Sequence, residues 1–533
     1  MVRFGLTPGR VMAWALPVIA VAVIAGVFVP SAVLWAVIVG VFAIVWLFPT
    51  VIDINGASTA ENIRRNRVTD KPYEPVRMRE VDGTAVLLEG GDIVSVWMEV
   101  APRDDVDVTT VSGDGIVSRP HIDTAKLAKL LRQSDVVIES IAVTTMSYDT
   151  FLPGYAAGNV VAQSMGKIPV PSGGRSWITV RVRVTDNVSA AQARGAGEFD
   201  QGMIRAVLAA AARLRVVVEE GGHHVSLCSP EMVTQMTSMM AAGTARVFDK
   251  PGRDGFGDDS SDTKAYGLYP KRGVKREDAV GWRDLPGVRS FITTTLTPGN
   301  HDGTDPQVSD QVVLVTRDKQ AVQRASKMGL SLLRRQQRQA ASRIIPSIAS
   351  QPVIQPEYPL EDNHPVIHYG GGLGLFVGPT AQGGSLFIKV RPATGTTLHF
   401  IGAVEAHQVL IERMLMESYS INIKLPADDP NRPVWQQLVD NLHSPLLAMD
   451  SDRAADFVLT SPQGHADAKA DNPTQSTIVV SEKTPNMALE NSVHIKSTTA
   501  VVTTETEQET AYFSPTPSEM GFVARSNEQG RTR

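Results

Sequence analysis

Cysteine is nearly absent: Cys228 is the single one in 533 residues. No intrachain disulfide can form, and no multi-cysteine metal cluster fits within one chain. That usage suits a reducing compartment. Enzyme signatures are missing as well. There is no G-x-x-x-x-G-K-[ST] stretch, which argues against a P-loop cradling a nucleotide's phosphates. Nor is there an H-E-x-x-H zinc helix or a G-x-S-x-G nucleophile elbow. The net charge is only −5, so nothing points to nucleic acid as the main partner. No catalytic, cofactor-binding or metal-ligating residue is assigned.

Formal charge is absent from one long stretch. Between Arg10 and Asp53 lie 42 uncharged residues, nearly all Val, Ile, Ala, Leu, Phe, Met or Trp. One bilayer crossing takes about 20 apolar residues, so this run holds two. Pro30-Ser31 divides it into Val11–Val29 and Ala32–Leu47, the proline disfavouring continuous helix and the serine suited to cap the second span. A two-helix transmembrane hairpin is expected. Arg3 and Arg10 precede it, Arg64, Arg65, Arg67 and Lys71 follow it, and the turn carries no charge. Cations are retained on the cytoplasmic side, which places both termini there, on a multi-pass protein of the bacterial inner membrane. Trp14 and Trp46 fall toward the cytoplasmic ends and Trp35 toward the outer turn, as in an aromatic belt.

Five regions follow: the hairpin at 1–54, a basic juxtamembrane linker at 55–84 that either meets anionic lipid headgroups or is a solvated connector, an α/β cytoplasmic region at 85–350, a C-terminal α/β cytoplasmic region at 351–453, and a polar tail at 454–533. The tail is rich in Ser, Thr, Asn, Gln, Pro and Glu with only short β-like runs such as Ser476–Val480 and Val493–Val502, a composition that predicts a disordered or loosely folded segment. Within 85–350, Ala85–Glu89 and Ile93–Val100 flank Gly90-Gly91-Asp92 and predict a β-hairpin. A short helix is expected over His121–Gln133, capped by Asp123 or Thr124, leading into a strand at Val136–Met146. Ile178, Val180, Val182 and Val184 alternate with Thr179, Arg181 and Arg183, the period of a strand with one dry and one wet face. Helices are expected at Ser189–Val217, weakened by Gly195, Gly197 and Gly202, and at Glu231–Met240. Residues 250–310 read as long loops around a strand at Ser290–Leu296. A strand at Gln311–Thr316 and a helix at Lys319–Arg343 close the region.

Gly370-Gly371-Gly372-Leu373-Gly374 leads toward a second turn, Gly383-Gly384, and the strand Leu386–Val390, a context that favours a hairpin over a dinucleotide site. His223, His224 and Cys228 are metal-capable but fit a structural turn with a buried thiol. His364, His368, His399 and His407 are scattered. The cations of Lys319–Arg343 offer a face for headgroups or an acidic partner, or a solvated helix whose stems cover apolar surface.

The most specific stretch is Gly370–Val439. It holds the glycine-turn hairpin, Leu386–Val390, then a helix with Gln408 and Arg413 on which Val404, Ile411, Met414, Leu415 and Ser418 keep helical spacing, then Ile421-Asn422-Ile423 and Arg432-Pro433-Val434-Trp435. With the N-terminal hairpin, this ordering resembles the EccE component of type VII (ESX) secretion systems; Gln408, Arg413, Arg432, Pro433 and Trp435 match that pattern. The resemblance implies a non-enzymatic structural subunit of a multi-subunit inner-membrane complex, beside EccB, EccC and EccD components, bracing it for export of small helical proteins. It also implies a degenerate nucleotide-sugar-transferase type of α/β fold and carries over no active-site residue. The competing class is a membrane-tethered enzyme with a degenerate glycosyltransferase-like or hydrolase domain.

Overall fold

The computed structural model describes residues 2–4, 8–28, 31–50, 52–54, 57–58, 72–112, 115–116, 122–148, 173–195, 197–241, 252–257, 264–271, 282, 289–299, 305–318, 320–353, 355–360, 374–392, 394–416, 419–453, 455–471, 475–484, 489–505 and 507–524. The protein is α/β, with large sheets.

Two helices, α1 (Pro8–Phe28) and α2 (Ala32–Thr50), form the N-terminal hairpin. Ser31 opens α2 as expected, its Oγ accepting from Leu34 N at 3.4 Å. The Trp35 indole donates to Ala22 O at 2.9 Å and lies over Gly26, where an added Cβ would meet it at 3.3 Å. A residue without a side chain there leaves room for the indole between the helices. At the other end Val2–Phe4 pairs antiparallel with Ile52–Ile54, which pairs with Ala57–Ser58. The side chains described lie at 15–27 and 31–45. Among the described residues no helix is long and apolar enough to cross a membrane.

The largest sheet has eleven strands. Its path runs Leu330–Leu332, Lys264–Pro270, Gln307–Thr316, Arg289–Thr297, Ser140–Tyr148, Gly173–Arg183, Ile93–Pro102, Thr84–Glu89 and Arg77–Val81, with antiparallel neighbours throughout. The predicted hairpin is there, with Glu89 opposite Ile93. One face packs on α3 (Phe199–Glu220), whose Met203, Val207, Ala211 and Leu214 are buried as the periodicity predicts. Trp97, Trp177 and Phe291 cover the other face. Because both faces are covered, the expectation of a wet side fails: Thr179 and Arg181 are buried. Arg181 is accommodated by Glu89, 3.2 Å away, which also accepts from Ser350 N at 2.8 Å.

Several expectations need correction. The 189–217 helix is two, Val188–Gly195 and α3, separated by Gly197 at φ 101°. The short helix contracts to Thr124–Lys129 with Asp123 as cap, and its following strand begins at Ser140. Lys264–Pro270 is a strand within the segment read as loop. Gly267 in it allows close approach of Ala340, which a Cβ would meet at 2.6 Å. Lys319–Arg343 is not one helix. Gly329, at φ 84°, ends Ala321–Lys327; Leu330–Leu332 then joins the sheet, and Gln337–Ser342 follows. The continuous basic face therefore does not form.

A four-stranded sheet joins Leu375–Pro379 and Ser385–Val390, the predicted glycine hairpin, to Val106–Ser112 and Gly115–Ile116. A third sheet has the order Leu447–Met449, Ile421–Ile423, Phe457–Thr460, Ser476–Ser481, Thr397–Ile401, Ser492–Lys496, Thr499–Thr503 and Gln508–Tyr512. Its first six strands are parallel. Against it pack α4 (Val404–Met416), α5 (Arg432–Leu442) and α6 (Pro517–Ala524). The tail at 454–533 was expected to be disordered or loosely folded; instead its residues build five strands of this sheet, and Phe457, Leu459, Ile478 and Val493 lie in its core. Buried parallel strands need only four to six apolar residues, short enough to hide in polar sequence. The juxtamembrane Arg64, Arg65, Arg67 and Lys71 lie outside the described residues, as do Pro30, His364, His368, Gly370–Gly372 and Ser418.

Candidate functional site

In open parallel sheets the crevice beyond the carboxyl ends of the strands is where ligands settle. Here Thr397–Ile401 ends at Gly402, whose φ of 146° and whose approach to Ile495 O, 2.7 Å from an added Cβ, leave no room for a side chain. The chain then enters α4. In strand order, the connection out of this strand leads to Ile421–Ile423 and that out of its neighbour Ser476–Ser481 leads to Ser492–Lys496, toward opposite edges of the sheet. His407, Trp435, Ser461 and Ser481 line a crevice of about 20 Å³ there, with Asp429 and Glu482 among its other residues. That is room for about one water molecule.

Four polar residues of α4 are almost fully buried: His407, Gln408, Glu412 and Arg413. A buried charge needs a partner. Arg413 finds it in Glu519 of α6, Nε to Oε1 at 2.8 Å, with both side chains at most 1 % exposed. Its Nη1 donates to Phe376 O at 3.1 Å and Val377 O at 2.8 Å, and the guanidinium lies over the Phe376 and Phe513 rings at 5.0 and 5.3 Å. Glu519 is held in turn by a capping box: it accepts from Thr516 N at 2.7 Å while Thr516 Oγ1 accepts from Glu519 N at 3.2 Å. Arg413 thus ties the glycine hairpin, α4 and α6 together.

The other matched residues also serve as ties. Gln408 Nε2 donates to Val434 O at 3.1 Å, joining α4 to α5. Arg432 donates to Leu425 O at 2.6 Å and pairs with Asp450. Pro433 sits in the first turn of α5, where a missing N–H costs nothing, and Trp435 is fully buried.

Burial pushes the Glu412 carboxyl up to about 9, with nearby Glu519 adding to the shift and Arg413 opposing it. The group is a neutral acid at pH 7. Burial pushes His407 down to about 4, so its imidazole is neutral. Buried Ser461 Oγ, Ser481 Oγ and His407 Nε2 have no hydrogen-bond partner among the described residues. An activated serine needs a base within hydrogen-bond reach, and His407 does not supply it to either hydroxyl.

Sequence reasoning selected Gln408, Arg413, Arg432, Pro433 and Trp435, and the structure brings them to one region. It missed Glu519, Glu412 and Thr516. Thr516-Pro517-Ser518-Glu519 was legible as a capping box with proline at the first helical position. The other candidates fall elsewhere. His223 and His224 lie on the strand His223–Leu227, and Cys228 is in the core with its Sγ 3.7 Å from Met236 Sδ. Burial raises its thiol far above the ordinary range. His399 faces His465, ring centroids 6.4 Å apart.

Comparison with known proteins defines the class. A family model matches residues 171–261 and is described as "Putative type VII ESX secretion system translocon, EccE". The match supports a type VII secretion system component, of a family that implies a multi-subunit ESX complex associated with the inner membrane. The family described is EccE, and the match supports the resemblance drawn from the sequence. The matched segment runs from the strand Gly173–Arg183 through α3 and past the helix Pro230–Ala241. The hairpin and residues 370–439, which carried the resemblance, lie outside it. No curated protein matches the chain.

Proposed function

We propose that this chain is a non-enzymatic structural subunit of a type VII secretion membrane complex, and that it braces the complex for export of small helical proteins. The single observation that carries the reading is the EccE match at 171–261. The hairpin α1–α2 spans the inner membrane with both ends cytoplasmic and docks on membrane helices of EccB, EccC and EccD type components. Its apolar side chains support this: Leu16, Val27, Val33 and Ile44 are 60, 73, 76 and 72 % exposed, a surface that water disfavours and lipid or a partner helix covers. Pairing of Val2–Phe4 with Ile52–Ile54 supports the topology, since both chain ends leave the hairpin at the same end. The buried polar groups of α4 support the structural role: Arg413 and Gln408 join elements to one another.

Purifying the complex from membranes of cells with and without this chain tests the reading. The expected result is loss of intact complex and of substrate export without it. An unchanged set of co-purifying components together with normal export contradicts it.

A further inference from the structure

A groove of about 650 Å³ lies between the edge strand Arg77–Val81 and the first turns of α3. Val94, Met203 and Ile204, each at most 2 % exposed, belong to its apolar side together with Leu88. Arg77 and Arg79 stand on its rim. Alternate residues of a strand share a face, so both guanidiniums are presented to one side, with Arg77 opposite Leu88 across the pairing. Arg79 contacts Asp200 of α3 at 3.7 Å, with the two side chains 48 and 74 % exposed. An ion pair that long and that wet holds Arg79 weakly.

Two arginines beside buried hydrocarbon define the occupant. The guanidinium fork matches phosphate oxygens. The apolar side matches alkyl chain, which inorganic phosphate lacks. The groove is also tethered: Arg77 follows Ser58, the last described residue at the hairpin base, by 19 residues, a span of at most about 65 Å when extended. We propose that this groove holds the phosphate and adjoining acyl region of an anionic phospholipid. Asp200 competes for Arg79 and limits how tightly the lipid is held. The proposal rests on the membrane insertion of the hairpin given above.

Native mass spectrometry of the full-length chain, released from nanodiscs of phosphatidylcholine with and without phosphatidylglycerol, tests it. Wild type is expected to retain phosphatidylglycerol over phosphatidylcholine. Arg77→Glu with Arg79→Glu, both at exposed positions, is expected to lower that retention by at least about tenfold. Asp200→Asn is expected to raise it. Equal retention by wild type and the double variant overturns the proposal, as does displacement of the lipid by millimolar inorganic phosphate, which would mark a site for free phosphate. Carbonate washing of proteoliposomes made from the same lipids separates the two readings. A chain that washes off refutes the hairpin; a chain that stays without lipid preference refutes the groove alone.

Discussion

Arg413 and Glu519 are the residues whose loss should be felt most. Removing one partner leaves the other charge buried and unpaired, so Glu519→Ala is expected to destabilise the fold by about 3–5 kcal/mol in chemical denaturation. The half-exposed pair Arg432–Asp450 is the control: Asp450→Ala should cost under about 1 kcal/mol. Glu412 gives a pH signature. Its folded pKa of about 9 lies above its ordinary 4.5, so the native state holds a proton that the unfolded chain releases. This contribution is complete below pH 4.5 and is lost as pH rises toward 9. Glu412→Gln should therefore raise stability at pH 8 relative to wild type and leave it nearly unchanged at pH 4.5, as read by denaturant midpoints. His407 acts on the acid side. Its pKa falls from 6.5 to about 4, so its contribution is present above 6.5 and lost as pH falls through 4.

Between elements, the contact of Val188–Gly195 with α3 depends on Gly202, where an added Cβ would lie 1.9 Å from Ala191 O. Gly202→Ala should cost about 1–3 kcal/mol by overpacking. Gly40→Ala, with nothing within 4 Å, should be close to neutral. Truncation after Arg453 removes five strands of the third sheet and Glu519, so limited proteolysis should find 375–453 cleaved rapidly in the shortened chain. What the sequence reveals follows from period and length. The helix with Val404, Ile411, Met414 and Leu415 was legible because four core positions repeat at helical spacing over thirteen residues. Phe457–Thr460 was not, because four residues carry no period that separates them from polar coil, and Ser476–Val480 showed only as an isolated β-like run with nothing to place it in a sheet. Lys319–Arg343 misled because its cations imitate a solvated helix, while Gly329 and the pairing of Leu330–Leu332 with Leu268–Pro270 decide the local structure. Of the candidate site, the residues on α4 and α5 were visible in one stretch of chain. The pairing with Glu519 was not, since Glu519 lies 106 residues beyond Arg413 and meets it only through the tertiary fold.

For the whole molecule, the account rests on where the hairpin sits. If α1 and α2 cross the bilayer, the strand ladder at their base holds Val2–Phe4 and Ile52–Ile54 on one side and Ser31 on the other. Cys228 is fully buried with a raised thiol pKa, so it stays silent to maleimides in the folded chain. Introduced cysteines then report topology without background. The decisive measurement is labelling of Ser31→Cys and Ser58→Cys variants in intact cells with a membrane-impermeant maleimide, repeated after lysis. The account predicts that position 31 reacts from outside and position 58 only after lysis. Reaction of position 58 in intact cells, or of position 31 only after lysis, would contradict it.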